Sequence, residues 1–248
     1  MRSVVRGMTE RCPRCRLTTR WCVCAAHRAV RCPLAVDVVM HHREFFRPTS
    51  TGHLIKRVLP ESRQHVWRRE RGLPVDDVRV PGRELWLVHP QGDLAPPGVA
   101  PEGVQVVLLD GAWGETSAML QEMMPWGRRV RLPMTGESRY WLRAQQDGGR
   151  FSTVEALLFL LGSFDLTAAR EALRLQFELH VYASLRARGR KETAEEFLRE
   201  SPVRTEFPEL LAQLNVRRPM GGVGGGEAVE SRENGTTSPQ ESGNLPQL

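Results

Sequence analysis

Four cysteines near the start of the sequence have the spacing of a metal site. Cys12, Cys15, Cys22 and Cys24 follow the pattern C-x2-C-x6-C-x-C. Each close pair can form a short turn that directs both sulfurs at one ion, and four thiolates complete a tetrahedral shell. Two disulfides would use the same residues, but a chain that shows no export signal is expected in the cytoplasm, which keeps thiols reduced. An iron–sulfur cluster is the smaller alternative at this spacing. The sequence therefore predicts one structural zinc ion, with Cys32 as an ordinary buried side chain.

The second chemically suggestive stretch is VVLLDGAWGET, residues 106–116. An apolar run ends at Asp110, and Trp113 follows after a glycine and an alanine. Asp110 could accept a proton from a substrate, or its carboxylate could cap the helix that follows. Trp113 could stack on a flat ligand or pack in the core. The residues alone leave both pairs of alternatives open.

Hydrophobic periodicity predicts the elements that hold these residues. Apolar, strand-like runs occur at residues 34–42, 84–90, 104–110 and 128–133. Helical periods occur at residues 49–61, 114–124 and 152–164, and a stripe of apolar residues at every fourth position follows, Ala169, Leu173, Phe177, Val181 and Leu185. Alternating strands and helices are typical of an α/β fold, here a mostly parallel sheet with flanking helices. Ligands of such sheets bind beyond the carboxyl ends of the strands, where Asp110 lies.

Charge and composition favour a nucleic-acid partner. The chain of 248 residues has a formal net charge of +6, and the last thirty residues carry −3, which leaves +9 for residues 1–218. That tail is rich in Gly, Ser, Glu and Asn, a composition that predicts disorder. No apolar run approaches the roughly 20 residues that cross a bilayer, so no membrane partner is expected. The expected organisation is a zinc-binding head at 1–33, an α/β domain at 34–218 and a disordered tail at 219–248, in the cytoplasm.

Four segments resemble the DTW-domain family of tRNA-uridine aminocarboxypropyltransferases. Asp110-Gly-Ala-Trp113 is similar to the D-x-T-W signature, RPTSTGHLIKRVLP (47–60) to the T-N-T-G-x-L segment, STVEA (152–156) to the S-T-x-E-A helix start, and the four-cysteine head to the metal knuckle of bacterial members. The resemblance runs from about Cys12 to about Gly189. Ala112 stands where the family signature has threonine, and Ser50 where the family usually has asparagine.

The resemblance implies a fold and a reaction. The fold would be akin to that of the SPOUT methyltransferases, with a C-terminal trefoil knot that holds S-adenosylmethionine. The reaction would transfer the 3-amino-3-carboxypropyl group from S-adenosylmethionine to the imide nitrogen of a uridine in tRNA and release methylthioadenosine. Two other functions remain open: a methyltransferase that uses the same donor on RNA, and a non-catalytic zinc-containing RNA-binding module. The sequence does not indicate an oligomeric state.

The resemblance also suggests roles for individual residues. Asp110 would be the acceptor of the imide proton, and Trp113 would shape its pocket or stack on a base. The residues expected to hold S-adenosylmethionine are His89, Pro90, Leu109, Pro133, Gly136, Ser152, Thr153 and Glu155. The residues expected to face the tRNA are Thr51, Gly52, Arg139, Tyr140 and Arg143.

Overall fold

A five-stranded sheet forms the centre of the computed structural model, which describes residues 10–142 and 151–216. The strands are β1 Ala35–His41, β2 Arg63–Trp67, β3 Glu84–Leu94, β4 Val104–Asp110 and β5 Arg128–Arg131. They lie in the order β2-β1-β4-β3-β5, and all neighbouring strands are parallel. The predicted α/β architecture with a parallel sheet is therefore confirmed. Arg143 and the predicted disordered tail, 219–248, lie outside the described residues.

The strand order creates a crevice between β1 and β4. The chain that leaves β1 returns as β2 on one side, whereas the chain that leaves β4 crosses β3 to return as β5 on the other side. The two connections depart in opposite directions, and the space between the carboxyl ends of such strands is where open α/β sheets bind ligands. Met40 lies opposite Asp110 in the register of this pair. The carboxylate of Asp110 therefore stands at the edge of this crevice.

Helices cover both faces of the sheet. They are α1 His42–Phe45, α2 Gly52–Val58, α3 Val75–Val78, α4 Trp113–Met123, α5 Thr153–Ser163, α6 Thr167–Ala187, α7 Lys191–Arg199, α8 Val203–Glu206 and α9 Pro208–Asn215. Val106 and Leu108 of β4 pack in a core with residues of α2, α5 and α6, while Val107 between them packs with α3 and α4. Burial on both faces explains why β4 is a continuous apolar run. Within the described residues, no helix is both long and apolar enough to span a membrane.

The helix boundaries after β5 follow from local signals. Ser152 is the N-cap of α5, and its Oγ accepts a hydrogen bond from Glu155 N while Glu155 Oε2 accepts one from Ser152 N. This reciprocal pair is a capping box, which satisfies two backbone groups that a helix start leaves free. All five residues of the predicted fourth-position stripe are buried in α6. The predicted helices of this region are thus present.

Strand β2 was not predicted, because its sequence RQHVW is mostly polar. The strand is at the edge of the sheet, and its polar side chains pair with a buried carboxylate of β1. Arg63 Nε and His65 Nε2 contact Asp37 Oδ1 at 2.8 and 2.7 Å, and Gln105 Nε2 donates to Asp37 Oδ2 at 2.8 Å. Burial alone would raise the pKa of Asp37, but these partners lower it below its ordinary value. Polar contacts therefore hold β2 against β1, and a search for hydrophobic periodicity cannot detect such contacts.

The cysteine-containing head packs directly on the rest of the protein. Cys15, Leu17 and Val23 are buried in the same apolar cluster as the residues of α6. Gln176 Nε2 of α6 donates a hydrogen bond to Ala26 O at 2.5 Å, across 150 positions of the chain. Residues 10–142 and 151–215 lie within one compact unit. The predicted domain boundary between residues 33 and 34 stays a prediction, because the head and the α/β part share one hydrophobic core.

Candidate functional site

A cavity of about 480 Å³ lies at the carboxyl edge of the sheet, and Asp110 lines it. The carboxylate is 7% exposed and is held from two sides. Ser50 Oγ donates to Oδ2 at 2.6 Å, and Thr153 Oγ1 donates to Oδ1 at 2.6 Å. These hydroxyls come from the segment before α2 and from the first turn of α5. Three segments far apart in the chain thus fix one carboxylate in a cavity.

The carboxylate of Asp110 does not serve as the cap of α4. The N-cap of that helix is Ala112, whose backbone N–H donates to Glu115 Oε2 at 2.8 Å. The helix start is therefore satisfied by Glu115, and Asp110 is directed toward Ser50 and Thr153 instead. Threonine in the D-x-T-W signature would occupy the N-cap position, a favourable place for its hydroxyl. The departure at Ala112 removes a capping group of the helix and leaves the carboxylate's two hydroxyl partners in place.

Trp113 is on the surface and lines the cavity. Its side chain is 53% exposed, so it is not a core residue. Trp113 is the first residue of α4, two residues beyond the glycine that follows Asp110. An exposed indole at the rim of a cavity is available to stack on a flat ring. Of the two alternatives that the sequence left open, packing in the core is excluded by this exposure, and stacking on a ligand stays a prediction.

Gly52 lies directly beneath the Asp110 carboxylate. A Cβ atom added at Gly52 would stand 2.7 Å from Asp110 Oδ2 and 3.1 Å from Val38 Cγ1. Both Gly52 and Thr51 are buried, and Thr51 lines the cavity. Glycine is therefore required here for the close approach of α2 to the carboxylate. These two residues were predicted to face RNA, and the structure places Thr51 in the wall of the cavity and Gly52 against the Asp110 carboxylate.

The residues predicted to hold the donor divide into two groups. His89, Pro90, Leu109, Ser152 and Thr153 line the cavity together. Burial lowers the pKa of His89, and the charge of Arg129 lowers it further, so its imidazole is neutral at pH 7. Pro133 and Gly136 are not among the lining residues, which instead include Leu132 and Met134 of the same loop.

Glu155, also predicted to hold the donor, is committed to the protein's own backbone. Its Oε2 accepts from Ser152 N and its Oε1 accepts from Arg139 N, both at 2.6 Å. Ser138 Oγ donates to the same carboxylate at 3.0 Å. These contacts tie the loop before Tyr140 to the start of α5. Glu155 thereby fixes the position of cavity residues that neighbour it in the chain.

The described residues that were predicted to face RNA do not form one continuous surface. Tyr140 is buried, lines the cavity and donates through its hydroxyl to Thr49 O at 2.7 Å. The side chain of Arg139 is directed toward α6 and α7, where it pairs with Glu178 at 3.3 Å and donates to Phe197 O at 2.8 Å. Arg143 lies outside the described residues.

Two charged residues of the cavity were missed by the sequence analysis. Glu44 and Arg47 line the cavity and form an ion pair. Burial raises the pKa of Glu44, and the nearby charge of Asp110 raises it further. The signal that could have found them is position: HREFFR follows β1 directly, at the same sheet edge as Asp110.

The four predicted metal ligands meet at one point. The sulfur atoms of Cys12, Cys15, Cys22 and Cys24 all lie within 4.8 Å of one another. Cys12 Sγ is 3.6 Å from Cys24 Sγ, and Cys15 Sγ is 3.7 Å from Cys22 Sγ. A tetrahedral ion with Zn–S bonds of about 2.3 Å places its sulfurs about 3.8 Å apart. The cysteines are free rather than disulfide-bonded, so their arrangement fits a single tetrahedral metal ion.

The thiols of the cluster differ in their environments: burial raises the pKa of Cys15 and of Cys24, whereas the pKa of Cys12 is lowered. Burial alone would raise the pKa of this thiol, but hydrogen bonds from the backbone of Cys15 and Arg14, with contacts to neighbouring cysteine sulfurs, lower it to about 6. A group with this pKa is mostly ionised at pH 7. Arg57 Nη2 of α2 also contacts Cys24 Sγ at 3.8 Å, which places a positive charge beside the cysteine sulfurs.

Comparison with known protein families identifies one family that contains these segments. The family model of the DTW domain matches residues 9–185, which is more than half of the chain and includes the cysteine cluster, Asp110, Trp113 and the start of α5. No solved structure matches the chain. The chain therefore belongs to the DTW domain family.

Proposed function

We propose that this protein transfers the 3-amino-3-carboxypropyl group of S-adenosylmethionine to the imide nitrogen of a uridine in tRNA. The observation that carries the proposal is the Asp110 carboxylate, held by Ser50 and Thr153 at the wall of a cavity of small-molecule size. Membership of the DTW family is consistent with a tRNA-modifying enzyme. The net positive charge of the chain suits a polyanionic substrate.

The residues of the cavity fit both parts of the donor. Val88, Leu108 and Leu132 supply apolar walls suited to an adenine ring. The N-terminus of α5, with Thr153 at its first position, supplies backbone donors and a partial positive charge suited to the methionyl carboxylate. The donor, when bound, supplies a carbon attached to a sulfonium sulfur. The cavity must hold the donor so that the γ-carbon of the aminocarboxypropyl group, and not the methyl carbon, faces the imide nitrogen.

Asp110 receives the proton in the proposed reaction. The imide nitrogen forms its new bond to the γ-carbon as the bond from that carbon to sulfur breaks, and methylthioadenosine leaves. The imide proton passes to a carboxylate oxygen of Asp110, which Ser50 and Thr153 keep in a fixed orientation. The exposed ring of Trp113 stacks on the uracil and limits its approach to one direction. Positioned proton transfer of this kind contributes about 10²- to 10⁴-fold to a rate.

The proposal includes a SPOUT-like fold with a C-terminal trefoil knot. The crossing of the connections supports it: β4 inserts between β1 and β3, and the next connection passes over β3 to form β5. A chain that continues from β5 through the loop between β3 and β4 would be knotted. The segment that would do so includes residues 143–150, which lie outside the described part of the chain.

The proposal also assigns a structural zinc ion to the four-cysteine cluster. The distances between the four sulfur atoms support this assignment. The protein itself supplies all four ligands, so the ion has no open position for a substrate. The ion would stabilise the head and take no part in the transfer.

The deciding experiment follows the atoms of the donor. Purified protein is given tRNA from cells that lack the modification, with S-adenosylmethionine labelled in parallel at the carboxyl carbon and at the methyl carbon. We expect the carboxyl label in RNA and methylthioadenosine in solution. Methyl label in RNA with S-adenosylhomocysteine would show a methyltransferase instead. RNA binding with neither label incorporated would show a binding module.

Gly52 provides a test of how tightly Asp110 must be positioned. In Gly52→Ala, the added methyl group would meet Asp110 Oδ2 at 2.7 Å, so the carboxylate must shift. A displacement of about 1 Å at a reacting group can cost about 10²-fold in rate. We expect the carboxyl-label transfer to fall by at least about tenfold, with a loss of about 1–3 kcal/mol in stability from the added buried methyl group, so the rates are measured well below the unfolding temperature. Gly114→Ala, where the added methyl group meets open space, is the matched control; equal rates in the two variants would contradict this role.

A further inference from the structure

A second hollow, of about 370 Å³, lies beside the cavity and exposes an aromatic ring. Its residues are Phe45, Phe46, Val66, Arg68, Arg71 and Gly72, and we call it the Phe46 groove. Phe46 is 69% exposed and is the most exposed large hydrophobic residue of the described chain. Phe45 contacts it edge to face, with ring centroids 5.3 Å apart. An exposed aromatic ring supported by a second ring is suited to stacking with a flat partner.

The groove and the cavity share one wall. Within the segment that follows β1, Glu44 and Arg47 line the cavity, whereas Phe45 and Phe46 between them line the groove. The register of β1 and β2 pairs His41 with Trp67, so the ends of both strands reach the same sheet edge as Asp110. A ligand in the groove would therefore lie immediately beside the entrance to the cavity.

The groove is bordered by arginines without acidic partners. Arg68 and Arg71 line the groove, and the exposed segment from Arg68 to Arg71 has three arginines and one glutamate, a net charge of +2. None of the three forms an ion pair within the described residues. Glu122 is engaged elsewhere, since it accepts from Trp67 Nε1 at 2.9 Å and from Leu73 N at 2.8 Å. These two bonds hold the turn that presents the arginines, so the groove combines a fixed cationic border with an apolar floor.

We propose that the Phe46 groove binds the single-stranded loop of the tRNA next to the uridine that enters the cavity. An unpaired base stacks on Phe46, and the phosphates on either side of it contact Arg68 and Arg71. Bases in a duplex are already stacked, so only an unpaired loop can offer a free base face. Unpaired guanidinium groups beside an exposed ring match the charge and the flat bases of RNA. This inference rests on the proposed function, since it takes tRNA as the substrate.

The test measures binding of unmodified tRNA, without donor, over a range of salt concentrations. Each arginine-phosphate contact to single-stranded RNA contributes about 0.7 to the slope of log affinity against log salt. Arg68→Ala with Arg71→Ala should therefore reduce that slope by about 1.4. Arg190→Ala with Arg204→Ala removes the same charge from exposed positions outside the groove and should leave the slope unchanged. Equal slopes in the two double variants would overturn the proposal.

A second pair of variants tests stacking. Phe46→Ala should weaken tRNA binding about fivefold to a hundredfold, the loss expected for one stacked base. Phe46→Trp keeps an aromatic surface and should bind as well as the wild type. A fully paired RNA stem should bind both Phe46 variants equally. Wild-type affinity in Phe46→Ala would overturn the proposal, as would a wild-type protein that binds no tRNA.

These measurements are separate from the test of the reaction. If tRNA binding depends on Phe46 and Arg68 but no carboxyl label reaches the RNA, the groove stands and the proposed transfer fails. If label reaches the RNA while binding is indifferent to these residues, the transfer stands and the groove fails. The positions are exposed, and unchanged unfolding temperatures will show that the variants are folded.

Discussion

Replacing Asp110 with asparagine is expected to lower the transfer rate about 10²- to 10⁴-fold while leaving the protein folded. Asparagine has the shape of aspartate, and its amide can still hydrogen-bond to Ser50 and Thr153, whose hydroxyls both donate and accept. The amide cannot take the imide proton. The measurement is the rate of carboxyl-label incorporation into tRNA at saturating donor, with the unfolding temperature recorded for the same preparation.

The matched control for Asp110→Asn is Asp93→Asn. Asp93 is an exposed residue near the end of β3, and it is not among the residues of the cavity. The same chemical change at this position should leave the transfer rate within about twofold of the wild type, as expected of a surface substitution away from the site. Transfer by Asp110→Asn at the wild-type rate would show that the carboxylate is not the proton acceptor.

Removal of the metal should have the largest effect on stability. Structural zinc contributes about 10–16 kcal/mol of apparent binding free energy at pH 7, which is comparable to the whole stability of a typical domain. In Cys15→Ser the tetrahedral shell is incomplete, and the turn that buries Leu17 and Val23 loses its support. We expect metal analysis to give one zinc per wild-type chain and none in Cys15→Ser. The unfolding temperature should fall by at least about 10 °C, since each kcal/mol is worth about 2–4 °C in a protein of this size.

Cys32→Ser is the control for Cys15→Ser. Cys32 is also a buried cysteine, but it is not one of the four residues whose sulfurs meet. This variant should retain one zinc and lose only about 1 kcal/mol, the typical cost of a single substitution. Wild-type protein without metal, or disulfide-bonded under reducing conditions, would contradict the zinc assignment.

The elements that the sequence predicted well are those with strong local signals. Strand β4 is a continuous apolar run because both of its faces are buried, and α5 begins at a capping box that can be recognised from Ser152 and Glu155. The cysteine cluster follows from spacing alone, since its four ligands lie within thirteen consecutive residues. In each case the information needed is contained in a short segment.

The features that the sequence did not reveal depend on contacts between distant segments. Strand β2 is polar because its partner is the buried Asp37. Gly52 resembles a helix-start glycine in the sequence, and its requirement is visible only from its distance to Asp110. Glu44 lines the cavity because β1 pairs with β4. This pairing depends on the strand order of the whole sheet, which a short segment does not reveal.

The contact between Gln176 and Ala26 has a consequence for how the protein is made. The cysteine head is synthesised before the helix that covers it, since Gln176 follows Ala26 by 150 residues. At about 5–20 residues per second, the head waits about 8 to 30 seconds for its packing partner. During that interval the side of the head that packs on α6 has no partner, and a bound ion would hold its turns together. Early capture of zinc by the nascent chain would therefore keep four reactive thiols out of side reactions until the fold closes over them.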